Sequence, residues 1–264
     1  MPLDRYAAST FLLDALRTTG FENLTGAALA AESKLPEVQN AIRAAKESAE
    51  SALWMADVIN RLLKTAGDKS LAGRWVTPAV DSLRSALLFS SAGLDTSLKR
   101  LVNHSLPTLV EDDATVEKEF QEWAKSRLSS GSDGVDAKAL VRILMTKGVS
   151  PRDSLLESWR YELTDASAQS AERVSALAKA LGVTDQTIRK RIAPGRGTKT
   201  ALQSAFEARN QIAHELDVTD PDAEVRKPLE RIRRYRSLTV ISGWCVELLD
   251  VTQVITNDVA RRLS

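Results

Sequence analysis

The stretch from Val38 to Leu63, VQNAIRAAKESAESALWMADVINRLL, sets Val38, Ile42, Ala45, Ala49, Ala52, Ala56, Ile59 and Leu63 at alternating steps of four and three. Such spacing holds one stripe on one face of a helix and predicts a single long helix. Half of the stripe is alanine, so a neighbouring helix can approach closely; an intramolecular hairpin in the N-terminal region is the expected arrangement, and a subunit contact is the alternative. A second long helix is expected from about Pro78 to His104, where Leu83, Leu87, Leu94, Leu98 and Leu101 repeat at helical spacing. Pro107 is expected to end it, because proline lacks the N–H that an interior helical position donates.

Further along, helices are expected near 114–128, 136–147, 152–164, 168–181, 184–192, 198–217, 222–236 and 237–262. Thr77-Pro78, Ser150-Pro151 and Asp220-Pro221 each offer a side-chain acceptor at the cap and a proline at the first helical position. The prolines fall between periodic segments, and no run alternates apolar and polar residues as a half-buried strand does. An all-α fold follows: a helical domain over 71–264, preceded by an N-terminal helical region over 1–70. Phe11, Leu12, Leu13 and Leu16 in that region suggest one or two short helices packed on the long one.

The chain has 264 residues, of which 43% are hydrophobic and 27% charged, which suits a soluble globular protein with a sizeable core. Its longest charge-free stretches reach about ten residues, half the ~20 of a membrane-spanning helix, and the N-terminus lacks a signal-peptide pattern. The reading is therefore a cytoplasmic protein without membrane contact. One cysteine, Cys245, excludes an internal disulfide, and two histidines, His104 and His214, cannot build a zinc site. No metal or cofactor is expected. Any mechanism that needs an imidazole must use one of those two residues.

Charge is balanced overall, at a net +1, but unevenly placed. Residues 111–122 carry six acids against Lys118. Arg189, Lys190, Arg191, Arg196 and Lys199 fall in an acid-free stretch, and residues 226–236 hold six basic residues against Glu230. A local positive field of this kind attracts a polyanion whatever the net charge.

Between the two basic stretches lies Phe206-Glu207-Ala208-Arg209-Asn210-Gln211-Ile212-Ala213-His214-Glu215-Leu216. Helical spacing puts Leu202, Phe206, Arg209, Ala213 and Leu216 on one stripe, so an arginine is expected at a buried position. A guanidinium keeps its charge there only with an anionic partner or a wet cleft. Asn210 and His214 share the adjoining face, and the three polar residues can line one groove.

Arg209-Asn210-Gln211-Ile212-Ala213-His214 resembles the R-N-x-x-A-H form of the motif that marks the all-helical HEPN superfamily. The likeness is closest to its RiboL-PSP-HEPN branch, whose early helix runs through small apolar residues to an acid, similar to Leu87-Leu88-Phe89-Ser90-Ser91-Ala92-Gly93-Leu94-Asp95. It covers residues 75–262, with only the six-residue motif specific. The resemblance implies a HEPN-like bundle acting as a metal-independent endoribonuclease, as a homodimer, in a toxin–antitoxin or anti-phage setting with an antitoxin or defence-system partner. It implies acid/base work for His214, phosphate stabilisation for Arg209 and orientation for Asn210. Asp95, Glu207 and Glu215 are candidate supporting residues, and Arg189, Lys190, Arg191, Arg196 and Lys199 are candidate RNA contacts. Other members carry a tyrosine, modified by a partner nucleotidyltransferase, where this chain has Leu216, which argues against that modification.

Two rival readings stand beside this one. Ala178 to Ile192 is similar to a helix-turn-helix, in which Gln186, Thr187, Arg189 and Lys190 would contact DNA. Alternatively, a HEPN-like module binds RNA or protein without cutting. His104 near a helix end, Cys245 as a small buried hydrophobe and five scattered tryptophans read as structural.

Overall fold

The computed structural model describes residues 34–65, 77–130, 134–135, 137–145, 148–193, 199–219 and 232–263. Nine helices lie among them. These are α1 (Pro36–Thr65), α2 (Thr77–Asp112), α3 (Ala114–Leu128), α4 (Ala137–Leu144), α5 (Pro151–Asp165), α6 (Ala171–Ala180), α7 (Gln186–Ile192), α8 (Ala201–Glu215) and α9 (Leu238–Arg262). The fold is all-α. A two-residue antiparallel pairing, β1 (Ser129–Ser130) with β2 (Gly134–Val135), lies between α3 and α4. The apolar patch at Phe11 to Leu16, the Asp220-Pro221 start, Trp75, Arg196 and the 70/71 division lie outside the described residues.

The most extensive packing is between α1 and α2, so the neighbour that the alanine stripe admits is α2, across the expected 70/71 division rather than within the N-terminal region. Val38, Ile42, Ala45, Ala49 and Ala56 are buried, and so are all five leucines named on α2. Small residues set the approach. A Cβ added at Gly93 would lie 2.0 Å from that of Ala45, so α1 and α2 meet where neither carries a larger side chain.

Helix α2 is longer than the sequence predicts, because it passes through Pro107 and ends at Asp112. Proline in a helix interior costs about 3 kcal/mol. Against this, Leu106, Leu109 and Val110 are fully buried, at roughly 1.5–3 kcal/mol each. The carbonyl that loses its donor belongs to Asn103, an exposed residue, where water can replace the missing bond. At the far end Arg152 Nη2 donates to Val110 O at 3.3 Å. Asp113 then caps α3, accepting from the N–H groups of Thr115 and Val116 at 2.8 and 3.3 Å.

Helix α2 is the axis of the bundle, with α1, α3, α5, α8 and α9 packed around it. Phe120 and Trp123 of α3 stack with Trp159 of α5 at centroid separations of 5.4 and 6.1 Å, and with each other at 6.3 Å, which accounts for two of the tryptophans as packing. Helix α9 is, among the described residues, the one helix long and apolar enough to cross a membrane by length and composition. The charge-free run lengths do not anticipate this. Its apolarity has a local use, since Ile241, Cys245, Leu248, Ile255 and Val259 are buried in the core. Arg262, at the end of α9, joins Asp113 at 2.7 Å and Leu181 O at 2.7 Å, tying the start of α3 to the turn after α6.

Candidate functional site

Helix α8 carries the motif. Thr200 starts it with a reciprocal capping box: its hydroxyl accepts from Gln203 N at 3.1 Å, and Gln203 Oε1 accepts from Thr200 N at 3.0 Å. Such a cap satisfies two otherwise orphaned donors. The helix packs against α2, α6, α7 and α9, and this fixes which face is hidden.

That face differs from the sequence expectation. The buried residues are Leu202, Ala205, Phe206, Ala208 and Ile212, whereas Arg209 is half-buried and Ala213 and Leu216 are exposed. Neighbours on several sides rotate the hidden stripe away from 209, 213 and 216, so Arg209 stands at the rim of the core rather than inside it. The contacts of its guanidinium are exposed.

There the three motif residues converge. Arg209 Nη1 donates to Asn210 Oδ1 at 3.0 Å and lies 3.5 Å from His214 Nε2. Asn210 and His214 are exposed. Partial burial lowers the Arg209 guanidinium from its ordinary value, and the nearby Asp95 carboxylate opposes that shift. The group stays a cation, because arginine starts far above neutral pH. A fixed cation, an amide and an imidazole thus share one exposed face, a donor set suited to an oxyanion such as a phosphate.

The other expected site residues are scattered around this face. Asp95 acts on Arg209 through its charge, while its own oxygens accept from Ala168 N at 2.6 Å and pair with Lys99 at 3.3 Å. Glu207 pairs with Lys199 at 2.9 Å on the surface, and Glu215 is exposed in the last turn. Arg189 and Lys190 are exposed on α7, as are Gln186 and Thr187. Arg191 points the other way. It forks onto Glu247 at 3.1 and 2.9 Å and reaches Asp250 at 2.7 Å. Burial acts to lower its guanidinium, but these carboxylates outweigh that and raise it. Its charge is therefore satisfied within the fold, between α7 and α9, rather than offered on the flanking face.

One cluster is absent from the sequence reading altogether. After Glu215 the chain turns through Leu216 and Asp217, at φ 51° and 61°. Asp217 Oδ2 accepts from Arg84 Nε and Arg236 Nε, each at 3.0 Å, and Oδ1 accepts from Arg236 Nη2 at 2.5 Å. Its side chain is fully enclosed, and the two arginine side chains are each 6% exposed. Burial alone would push the Asp217 carboxyl up, but the two guanidinia win and hold it below the usual carboxylate value. Asp81 adds a second acceptor for Arg84 at 2.7 Å and for Arg233 at 3.0 Å.

These contacts stop the helix expected across 222–236 short of its expected end: Ile232 is helical, and residues 233–236 are not. Arg233 instead pairs with Val218 as an isolated antiparallel bridge. Thr219 N donates to Ile232 O and Arg234 N to Asp217 O, both at 2.8 Å. Backbone groups engaged across the chain in this way are not free for helical bonds. The only sequence hint was an acid lodged between Leu216 and Val218, ahead of a basic run.

Comparison with family models, curated proteins and solved structures gave no significant match to this chain.

Proposed function

We propose that this protein is a metal-independent endoribonuclease of HEPN type. The observation that carries the reading is the convergence of Arg209, Asn210 and His214 on the exposed face of α8, with Arg209 Nη1 between Asn210 Oδ1 and His214 Nε2. The R-N-x-x-A-H spacing supports it. In the proposed reaction a ribose 2′-oxygen forms a bond to the adjacent phosphorus as the bond from phosphorus to the 5′-oxygen breaks. A base takes the 2′-hydroxyl proton and an acid returns one to the 5′-oxygen, leaving a 2′,3′-cyclic phosphate and a 5′-hydroxyl. Arg209 neutralises charge developing on the phosphate, His214 moves a proton, and Asn210 orients the guanidinium.

One chain supplies one imidazole to this face, whereas simultaneous acid and base work calls for two. A symmetric dimer pairing two copies of α8 would supply both. Ala213 is exposed there and Leu216 is 64% exposed, leaving a small residue and an apolar one on the outer side of the motif. Arg189 and Lys190 add positive charge for the RNA backbone, and a toxin or anti-phage effector with a protein partner is the setting this activity fits.

The deciding experiment incubates purified protein with total RNA in EDTA and maps the ends of the fragments. Cyclic-phosphate ends from wild type and none from His214→Ala support the reading. Abolition of cutting by EDTA removes it, and salt-dependent RNA binding without cutting replaces it with a non-catalytic module.

A further inference from the structure

Leu216 and Asp217 follow the motif helix directly, and both sit in the left-handed region where residues with a Cβ are disfavoured. Two such residues in succession persist only where the surroundings over-determine them. Here the surroundings are charged. The Asp217 carboxylate is closed between Arg84 of α2 and Arg236 of the segment before α9, and Asp217 N donates to Gln211 O at 2.9 Å. Arg236 Nη2 also reaches the Gln211 side chain at 2.8 Å, and Arg233 Nε reaches Leu216 O at 2.8 Å. Arg84 Nη2 completes the knot at Arg234 O, 2.9 Å away, and Trp244 lies 5.7 Å below the Arg236 guanidinium.

A buried ion cluster is a weak route to stability, because apolar residues of the same volume commonly do as well. Its distinctive property is geometric. Forked guanidinium–carboxylate bonds fix distances and angles that apolar contacts leave loose. The turn they fix begins one residue after Glu215, and His214 lies in the last turn of α8.

We propose that Asp217 is the positioning residue of the candidate site: by locking the left-handed end of α8 to α2 and to residues 233–236, it sets where the His214 ring stands relative to Arg209. The inference rests on the reading of Arg209, Asn210 and His214 as a site, and its test needs no catalytic turnover.

The chain has two histidines, so a carbon–proton spectrum of the imidazole rings contains one signal set from each. His104, exposed on α2, is the internal control. Asp217→Asn keeps the size of the side chain and removes its charge. The expected result is a displaced or doubled His214 signal, an unmoved His104 signal and an unchanged helical circular dichroism spectrum. Arg236→Lys keeps the charge and loses the fork, and should displace His214 in the same direction by less. If Asp217→Asn does not fold, Arg236→Lys decides. A folded variant that leaves His214 in place, or moves both histidines alike, overturns the proposal. Where wild type cleaves RNA, kcat should fall about tenfold with KM held, as expected when a group is misplaced but substrate contacts survive. If wild type cleaves nothing, the ribonuclease reading fails while the ring spectra still decide the role of Asp217.

Discussion

Arg209 Nη1 stands 3.5 Å from His214 Nε2 on the outer face of α8. The separation is too long for a strong hydrogen bond, and the two side chains meet at a point open to solvent. A phosphate oxygen entering there would be shared by both groups, so each should matter to catalysis and neither to folding.

Replacing His214 with alanine is expected to lower RNA cleavage roughly 10²- to 10⁴-fold, the usual worth of a positioned acid or base. Thermal midpoint should hardly change, since the side chain is exposed. Cleavage by this variant at the wild-type rate would falsify the assignment.

Arg191 and Lys190 should separate, although they are adjacent in sequence. Lys190→Ala is expected to weaken RNA binding and flatten its dependence on salt, by about 0.7 in slope for one lost contact to a single strand. Arg191→Ala should instead lower stability, because it strands Glu247 and Asp250, and leave the salt slope alone. Binding isotherms at several salt concentrations, paired with urea unfolding, check both.

Gly93→Ala tests the meeting of the two long helices. The added methyl would fall 2.0 Å from Ala45 Cβ, so the helices must separate, at a cost of about 1–3 kcal/mol. Denaturant unfolding reads this directly, and a variant as stable as wild type would contradict the packing.

Acid should destabilise the fold through two carboxylates. Burial raises Asp113, but hydrogen bonds from Arg262, Thr115 and Val116 leave it below its ordinary value, as the arginines leave Asp217. A carboxyl depressed in the folded state contributes stability above its unfolded pKa of about 3.9 and loses it as pH falls through the folded value. Wild type should therefore lose stability below about pH 4, and Asp113→Asn should lose less over the same interval. Parallel curves for the two proteins would show that the Asp113 carboxylate carries none of this dependence.

Much of the fold was legible because helix period and capping are local. The stripe from Val38 to Ile59, the leucines of α2 and the Ser150-Pro151 start each depend on residues within a few turns. Pro107 was misread for the complementary reason: its penalty is local, whereas the burial of Leu106, Leu109 and Val110 that overcomes it comes from other helices. Half of the site was legible in the same sense. Helical geometry alone brings Arg209, Asn210 and His214 to one face.

The sequence by itself determined an all-helical chain and the grouping of those three residues, since both follow from rotation per residue along one helix. Only the tertiary structure decided which face of α8 is hidden, because that depends on where α2, α6, α7 and α9 lie. It also decided the partners of charge: Arg191 turns to Glu247 and Asp250, and Arg84 meets Asp217 across 133 positions. Coulombic pairing between segments far apart in the chain acts through space and carries no period, so the order of residues announces little of it.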